Sequence, residues 1–314
     1  MINLQKIRQS QNQIIVIGMH NSIVQSILDF DYLANKEDPS IVAIVSKNSG
    51  QSKFFWGAKE ILIPTYSSSN QIPKKNLKAV WFLNLLSGRR VLWATSELIS
   101  NMPMLTGGSI FAEGLLEKHS IDLYHLGLAN NLLLIGPSSV GLVIPNILKL
   151  GAIGGVSPLP MMEAGLFENG SVGVISASGG MTNELINLVQ KSGQNISFAL
   201  STGGDRFPMP DITTAFGLGQ NDSQTNKIVY YGELGGTEEY KLIELKKQGK
   251  LTKPVIIHIA GTVADLFKNS PQFGHAKAKA NSELEKANVK RQALKKAGFL
   301  VTDRFEHLLK LLKQ

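Results

Sequence analysis

The sequence predicts an α/β fold in which strands and helices alternate to form two largely parallel sheets. Short runs rich in β-branched residues recur along the chain, most of them stop at a glycine-rich turn, and segments with helical spacing lie between them. The chain has 314 residues, which suits two domains better than one. Because ligands of such sheets bind beyond the carboxyl ends of the strands, we expect the glycine-rich turns to carry the function.

The first half begins with the most regular of these units. Residues 14–17 form a β-branched run that ends at Gly18, which predicts a buried first strand. Apolar side chains then follow at the spacing of one helix face over residues 22–33. A polar stretch at residues 46–52 closes the second strand. The second strand is predicted at residues 41–45. The later strands of this half are predicted at residues 80–83, 109–112 and 132–135.

The second half repeats the arrangement. A strand at residues 171–175 precedes Ser178, and the turn that starts there opens a helix that extends to Lys191. A charged helical region from residue 281 and an amphipathic helix at residues 304–313 complete the chain. The other strands of this half are predicted at residues 198–202, 227–231, 254–260 and 299–301. The Gly-, Pro- and Ser-rich segment from residue 136 suggests two domains, residues 1–136 and residues 137–314.

Composition excludes several classes of protein. The absence of cysteine excludes disulfides, thiolate catalysis and cysteine-based metal sites, and it fits a reducing cytoplasm. No apolar stretch reaches the roughly 18 residues of a membrane span, and the first residues lack a signal core. The net charge of +8 indicates either a solvated basic surface or an affinity for small polyanions. Because the basic residues are scattered without interleaved aromatics, nucleic acid is not the expected partner.

Two glycine-containing turns are candidates for anion binding. The turn after the first strand reads Gly18-Met19-His20-Asn21, which lacks the dinucleotide fingerprint but has the right position for a phosphate-bearing cofactor. The turn at Ser178-Gly179-Gly180 would leave backbone N–H groups open at a helix N-terminus, where an anion is favoured. Ordinary N-capping by Ser178 or Thr182 explains the same residues, and the sequence alone leaves both readings open.

A histidine and a glutamate form the candidate catalytic pair. His275 follows Gly274 in a loop before a predicted helix, a position in which a histidine is usually a surface or capping residue. Glu233 lies in a glycine-flanked turn and is the carboxylate best placed to orient a histidine. Imidazole is a nucleophile only when neutral, and a carboxylate at one ring nitrogen fixes the tautomer. Their spacing does not reveal whether the two side chains meet.

Six longer segments carry more information than any single motif. They are residues 25–32, 55–64, 204–208, 232–241, 251–254 and 272–276. In this order they resemble the succinyl-CoA synthetase α-subunit superfamily, and most closely its citrate branch of citryl-CoA synthetase small subunits and the matching region of ATP-citrate lyase. The resemblance implies an N-terminal Rossmann-like CoA-binding domain followed by a flavodoxin-like α/β ligase domain.

The resemblance also implies an activity and its partners. It implies a subunit of an ATP-dependent citrate–CoA ligase that forms citryl-CoA through a phosphohistidine and citryl phosphate. ATP and Mg²⁺ would be bound by a separate ATP-grasp large subunit similar to the β-subunit of succinyl-CoA synthetase, because no such domain fits in this chain. A separate citryl-CoA lyase would act downstream, because no citrate-synthase-like region follows the tail.

The implied site residues fall into three groups. His275 would take the γ-phosphoryl group of ATP, and Glu233 would hold that histidine. The phosphate and citrate site would comprise Ser178, Gly179, Gly180 and Thr182. The CoA site would comprise Gly18, His20, Asn21, Ser22, Lys47, Asn48, Glu113 and Ser138.

Departures from the family pattern keep alternatives open. Ala177 stands where the family usually has arginine, residues 209–211 replace a small polar turn, and Lys277 and Lys279 replace small residues and would restore positive charge. One alternative is a ligase for succinate or another acid. Another is a non-catalytic CoA-binding paralogue, and a third is a fragment of a longer ATP-citrate lyase chain.

Overall fold

Two seven-stranded sheets organise the computed structural model, which describes residues 2–267 and 270–314. The strands of the first sheet are β1 (Gln13–Ile17), β2 (Ile41–Val45), β3 (Gly50–Trp56), β4 (Lys59–Tyr66), β5 (Val80–Asn84), β6 (Leu105–Ile110) and β7 (Leu133–Ile135). The helices of this half are α1 (Leu4–Gln9), α2 (Asn21–Leu33), α3 (Gly88–Asn101) and α4 (Glu117–Ala129). The strand order is β3-β4-β2-β1-β5-β6-β7, and every neighbouring pair except β3–β4 is parallel.

The second sheet has the same size. Its strands are β8 (Leu142–Ile144), β9 (Leu148–Leu150), β10 (Val172–Ser176), β11 (Ile196–Ser201), β12 (Lys227–Glu233), β13 (Val255–Ala260) and β14 (Leu300–Thr302). Its helices are α5 (Pro158–Glu163), α6 (Gly179–Lys191), α7 (Ile212–Gln220), α8 (Tyr240–Lys247), α9 (Ala287–Lys296) and α10 (His307–Leu312). The order is β14-β13-β12-β10-β11-β8-β9. Strand β8 is antiparallel to both of its neighbours, β11 and β9. The predicted α/β class with two largely parallel sheets is confirmed.

Some predicted boundaries were wrong for identifiable reasons. Strand β6 was expected at residues 109–112 but begins at Leu105, because Gly107 and Gly108 interrupt its apolar pattern. A Cβ on Gly108 would lie 2.3 Å from the ring of Phe82, so this ring fills the space that a side chain would need. The hairpin of β3 and β4 was missed because most of its side chains are exposed, so no continuous apolar run marks it. The helix expected from residue 281 begins only at Ala287, after a short 3-10 turn.

The two halves are joined by buried polar contacts as well as by apolar packing. Lys149 of β9 is fully buried, and its ammonium donates hydrogen bonds to Ser26 Oγ of α2 (3.0 Å) and to the Gly151 carbonyl (2.7 Å). Burial lowers the pKa of Lys149 to about 7, although nearby aspartates oppose this shift. Arg8 of α1 pairs with Asp222 in the second half at 2.5 Å. Among the described residues, no helix combines the length and apolar character needed to cross a membrane.

Candidate active site

The candidate active site lies at the carboxyl edge of the second sheet. Strand β10 runs parallel to β11 on one side and to β12 on the other, so the ends of these three strands meet at this edge. The turn at Ser178 follows β10, and the turn at Gly204 follows β11. Glu233 is the last residue of β12. Glu233 was expected inside a turn, but the strand extends through it because Gly232 and Glu233 still pair with β13.

The structure brings Glu233 and His275 together. Nδ1 of His275 lies 2.9 Å from Oε2 of Glu233, although 42 residues separate the two in sequence. The imidazole is 30% exposed and the carboxylate 11% exposed, so the pair is held by the protein but reachable from solvent. With Nδ1–H donated to the carboxylate, Nε2 carries the lone pair and is the nitrogen available for reaction.

Charges around His275 set its protonation. The hydrogen bond that His275 donates to Glu233 raises the pKa of His275 above its ordinary value, partial burial opposes this shift, and the negative charges of Glu233 and Glu113 add to the increase. Glu113 follows β6 of the first sheet, so a charge from the first half of the chain acts on this histidine of the second half. The neutral, nucleophilic form of His275 therefore becomes dominant at a higher pH than it would for an unperturbed imidazole.

Gly204 forms the surface against which the imidazole packs. A Cβ at this position would lie 2.3 Å from Cγ of His275 and 2.6 Å from Nδ1. The ring thus rests on one side against the turn after β11 and is bonded on the other side to the end of β12. Since β10 lies between these strands, the Ser178 turn that follows β10 belongs to the same part of the sheet edge.

Substitution of Gly204 by alanine is expected to displace the imidazole and break its contact with Glu233. A shift of about 1 Å in a reacting group can cost about 100-fold in rate, and we expect a loss of that size in the phosphorylation of His275 that the sequence resemblance implies. The rate of His275 phosphorylation measures it. Gly217→Ala is the matched control, because a Cβ on Gly217 in α7 would meet open space. An unchanged rate in Gly204→Ala would show that the close packing is unimportant.

The helix N-terminus at Ser178 lacks the ordinary side-chain cap. The side chain of Ser178 does not cap α6. Instead, Ser176 Oγ donates to the Ser178 carbonyl (2.8 Å) and accepts from the Ser178 N–H (3.0 Å), while Thr182 Oγ1 donates to the same carbonyl (2.7 Å). The first N–H groups of a helix have no acceptor within the helix, so those of Gly179 and Gly180 are available to an anion.

The residues predicted for CoA lie at the carboxyl edge of the first sheet. Gly18, with φ of 87°, follows β1, and Asn21 and Ser22 begin α2 with His20 before them. Lys47 and Asn48 follow β2, Glu113 follows β6, and Ser138 lies beyond β7. Ser138 N–H donates to the Ala112 carbonyl (2.9 Å), which ties the last two of these turns together. Because the strands are parallel, the structure places all eight residues along one edge.

Sequence reasoning missed two residues that support the pair. Gly204 opens segment 204–208, which the resemblance singled out, but nothing in the sequence indicated that it packs against the histidine. Lys290 lies on α9 with Ala287 and Leu294, at the spacing of the buried helix face, and a lysine on that face indicates a buried ion pair. Its ammonium pairs with Glu239 at 2.7 Å and donates to the carbonyls of Glu233 (2.9 Å) and Gly235 (2.7 Å).

Within residues 2–267 and 270–314, no group of three or more His, Asp or Glu side chains could hold a metal ion. The described residues offer an oriented imidazole at the sheet edge from which α6 begins. Such an arrangement can accept a phosphoryl group and stabilise its negative charge.

Comparisons with known proteins give this geometry a context. Residues 175–300 match the CoA-ligase family model. ATP-citrate synthase subunit 1 of Sordaria macrospora is 37% identical over 301 residues, covering 95% of this chain and 44% of the relative. ATP-citrate synthase of Homo sapiens is 37% identical over 296 residues, covering 94% of this chain and 27% of the relative. The chain thus spans half or less of the length of these curated relatives.

A solved structure agrees over almost the whole chain. ATP citrate lyase from Methanothrix soehngenii, in complex with citrate and coenzyme A, superposes with a TM-score of 0.91 at 31% identity, covering 97% of this chain and 49% of that one. A dinucleotide-forming acetyl-coenzyme A synthetase from Ca. Korarchaeum cryptofilum shares the fold at 17% identity, with a TM-score of 0.70.

Proposed function

We propose that this member of the CoA-ligase family, which is homologous to part of ATP-citrate synthase, is the CoA-binding and histidine-phosphorylated subunit of an ATP-dependent citrate–CoA ligase. The observation that carries the proposal is the 2.9 Å contact between His275 Nδ1 and Glu233 Oε2 at the carboxyl edge of the second sheet. With Nδ1 bonded to the carboxylate, Nε2 is the ring nitrogen left to react, at the same sheet edge at which α6 begins.

The proposed reaction has three steps. Nε2 of His275 attacks the γ-phosphorus of ATP, an N–P bond forms, and ADP leaves. A carboxylate oxygen of citrate then attacks this phosphorus, the N–P bond breaks, and citryl phosphate forms. Finally the sulfur of CoA attacks the acyl carbon and displaces phosphate, which gives citryl-CoA. This chain contributes positioning and charge stabilisation to these steps.

The proposed division of labour within the site follows the three groups of residues. Glu233 holds the tautomer of His275 and stabilises the charge on its ring. The N–H groups of Gly179 and Gly180, with Ser178 and Thr182 shaping their turn, receive the phosphoryl oxygens and a citrate carboxylate. CoA lies along the edge of the first sheet, with Glu113 nearest to the histidine.

The proposed domain boundary at residue 136 fits the sheet order. The last strand of the first sheet ends at Ile135, and the first strand of the second sheet begins at Leu142. The CoA-binding domain would comprise residues 1–136 and the ligase domain residues 137–314.

The proposed partner is an ATP-grasp large subunit that binds ATP and Mg²⁺. Its support is that the relatives contain long regions outside the part that this chain matches. Mg²⁺ would neutralise charge on the phosphates of ATP while it is bound to that subunit.

Reconstitution with the partner tests which carboxylic acid is the substrate. ADP release should be faster with citrate than with succinate when CoA is saturating. Faster turnover of succinate would contradict the choice of citrate and favour a succinate–CoA ligase. Co-purification of the native complex identifies the subunit that contains the nucleotide site.

A non-catalytic CoA-binding role is the second candidate, and Ala177 favours it. Ala177 is 2% exposed directly after β10, so its methyl group provides no charge beside a phosphoryl group. Lys277 is also buried, and its ammonium is already engaged by Glu238. Acid-labile label on His275 after incubation with γ-labelled ATP and a competent partner would exclude this candidate, and its absence would favour it.

Replacing Glu233 by glutamine is expected to slow phosphorylation and move its pH dependence. The carboxylate stabilises protonated His275, so its removal lowers the pKa of the imidazole. The rate rises with pH as His275 loses its proton, and the midpoint of this rise should therefore move to lower pH in Glu233→Gln. Loss of the fixed tautomer should lower the plateau rate by about 100-fold or more.

Single-turnover phosphorylation measured from pH 5 to 9 gives both quantities. Glu244→Gln on exposed α8 is the control, and its profile should match the wild type. A midpoint that stays in place in Glu233→Gln would show that this carboxylate does not set the protonation of His275.

A further inference from the structure

A cavity of about 420 Å³ lies beside the candidate active site, between α4 of the first half and the α7–α8 side of the second. Its size falls within the range of small-molecule sites. In the described part of the chain, its lining includes neither His275 nor Glu233, and none of residues 178–180. It is therefore a separate space from the cluster described above.

The cavity shares two chain segments with the active site. Gly204 packs against the ring of His275, and Arg206 and Phe207 line the cavity directly after it. Lys277 lines the cavity two residues after His275. The cavity is thus adjacent to the histidine loop without containing the histidine.

Most of the cavity wall is apolar and partly aromatic. Tyr124 and Ile121 of α4 line the cavity together with Ile175 of β10 and Ile212 of α7, and the exposed ring of Phe207 contributes a further apolar surface. Such a wall favours a ligand with a flat apolar body, because burying that body removes apolar surface from water on both sides.

The wall carries both signs of charge, and one of its cations makes no ion pair among the described residues. Asp211 is engaged as the cap of α7, accepting from Thr213 N–H at 2.9 Å, and Arg206 pairs with Glu117 at 2.8 Å. Lys277 and Glu238 pair with each other. Lys241 lines the cavity with an exposed side chain and makes no ion pair among the described residues. One cation at the mouth therefore remains for a ligand.

We propose that this cavity binds a small molecule with one carboxylate and an aromatic-sized apolar body. The carboxylate pairs with Lys241 at the mouth, and the body lies between the α4 side chains and Phe207. This site goes beyond the proposed ligase reaction, whose phosphoryl, citrate and CoA groups are assigned to other residues.

The test uses 4-phenylbutyrate as the probe on the full chain, with binding followed by saturation-transfer NMR and titration. We expect 4-phenylbutyrate to bind, and 4-phenylbutanol, which lacks the charge, to bind about tenfold more weakly. Lys241→Met should weaken 4-phenylbutyrate binding to the level of the alcohol. Lys247→Met, an exposed lysine of the same helix outside the cavity lining, should bind like the wild type.

A second variant and a competition experiment with citrate complete the test of the cavity. Ile121→Trp should abolish binding by filling the cavity, and its melting temperature shows whether it is folded. Undiminished binding in Lys241→Met would overturn the proposal, as would displacement of the probe by citrate. The latter result would place the probe in the proposed citrate site, whereas the ligase reaction itself is tested separately by phosphorylation of His275.

Discussion

Replacement of His275 by asparagine is expected to abolish the proposed citryl-CoA formation by the complex reconstituted with its partner. An asparagine amide nitrogen can occupy the position of Nδ1 and still donate to Glu233, so the carboxylate keeps its partner. The variant lacks a nitrogen equivalent to Nε2, which is the proposed nucleophile. Loss of a covalent nucleophile typically costs about 10⁴-fold or more in rate, and we expect a loss of at least that size.

Two measurements check this result. Acid-labile label from γ-labelled ATP should disappear in His275→Asn, and CoA-thioester formation should fall with it. His307→Asn, at an exposed histidine in α10, should behave like the wild type. Thioester synthesis that persists in His275→Asn with a competent partner would show that the reaction does not pass through this residue.

The fold could be predicted where its signal is local. The apolar run of β2 gave both ends of the strand, and the helical spacing of α2 gave its length to within one residue. The edge hairpins could not be found in this way. Strands β8 and β9 have three residues each, and such short pieces become strands only because β8 can pair with the edge of β11.

The site could be predicted only in part, because its parts come from distant segments. The chemistry of Glu233 and His275 suggested a pair, but the contact depends on the order of β10, β11 and β12 in the sheet, which spacing does not encode. The role of Gly204 depends on the position of the imidazole of His275, which lies 71 residues away in the sequence. Resemblance supplied the roles, and the structure supplies the distances.

Lys290→Met is expected to be the most destabilising substitution near the site. The ammonium of Lys290 is fully buried and pairs with Glu239, which is 1% exposed, at 2.7 Å. Methionine preserves the apolar stem but leaves a buried carboxylate without its cation and two carbonyls, those of Glu233 and Gly235, without a donor. Removing one partner of a buried ion pair typically costs about 3–5 kcal/mol, and we expect a loss of that size in the free energy of unfolding.

Denaturant titration measures this loss, with Lys296→Met at an exposed position of the same helix as the control. The double variant Lys290→Met/Glu239→Gln discriminates between charge and packing. Because the second change removes the uncompensated carboxylate, the double variant should be less destabilised than the sum of the two single changes. Strict additivity would mean that Lys290 stabilises the end of β12 through its hydrogen bonds to the carbonyls of Glu233 and Gly235 alone, and that its ion pair with Glu239 contributes little.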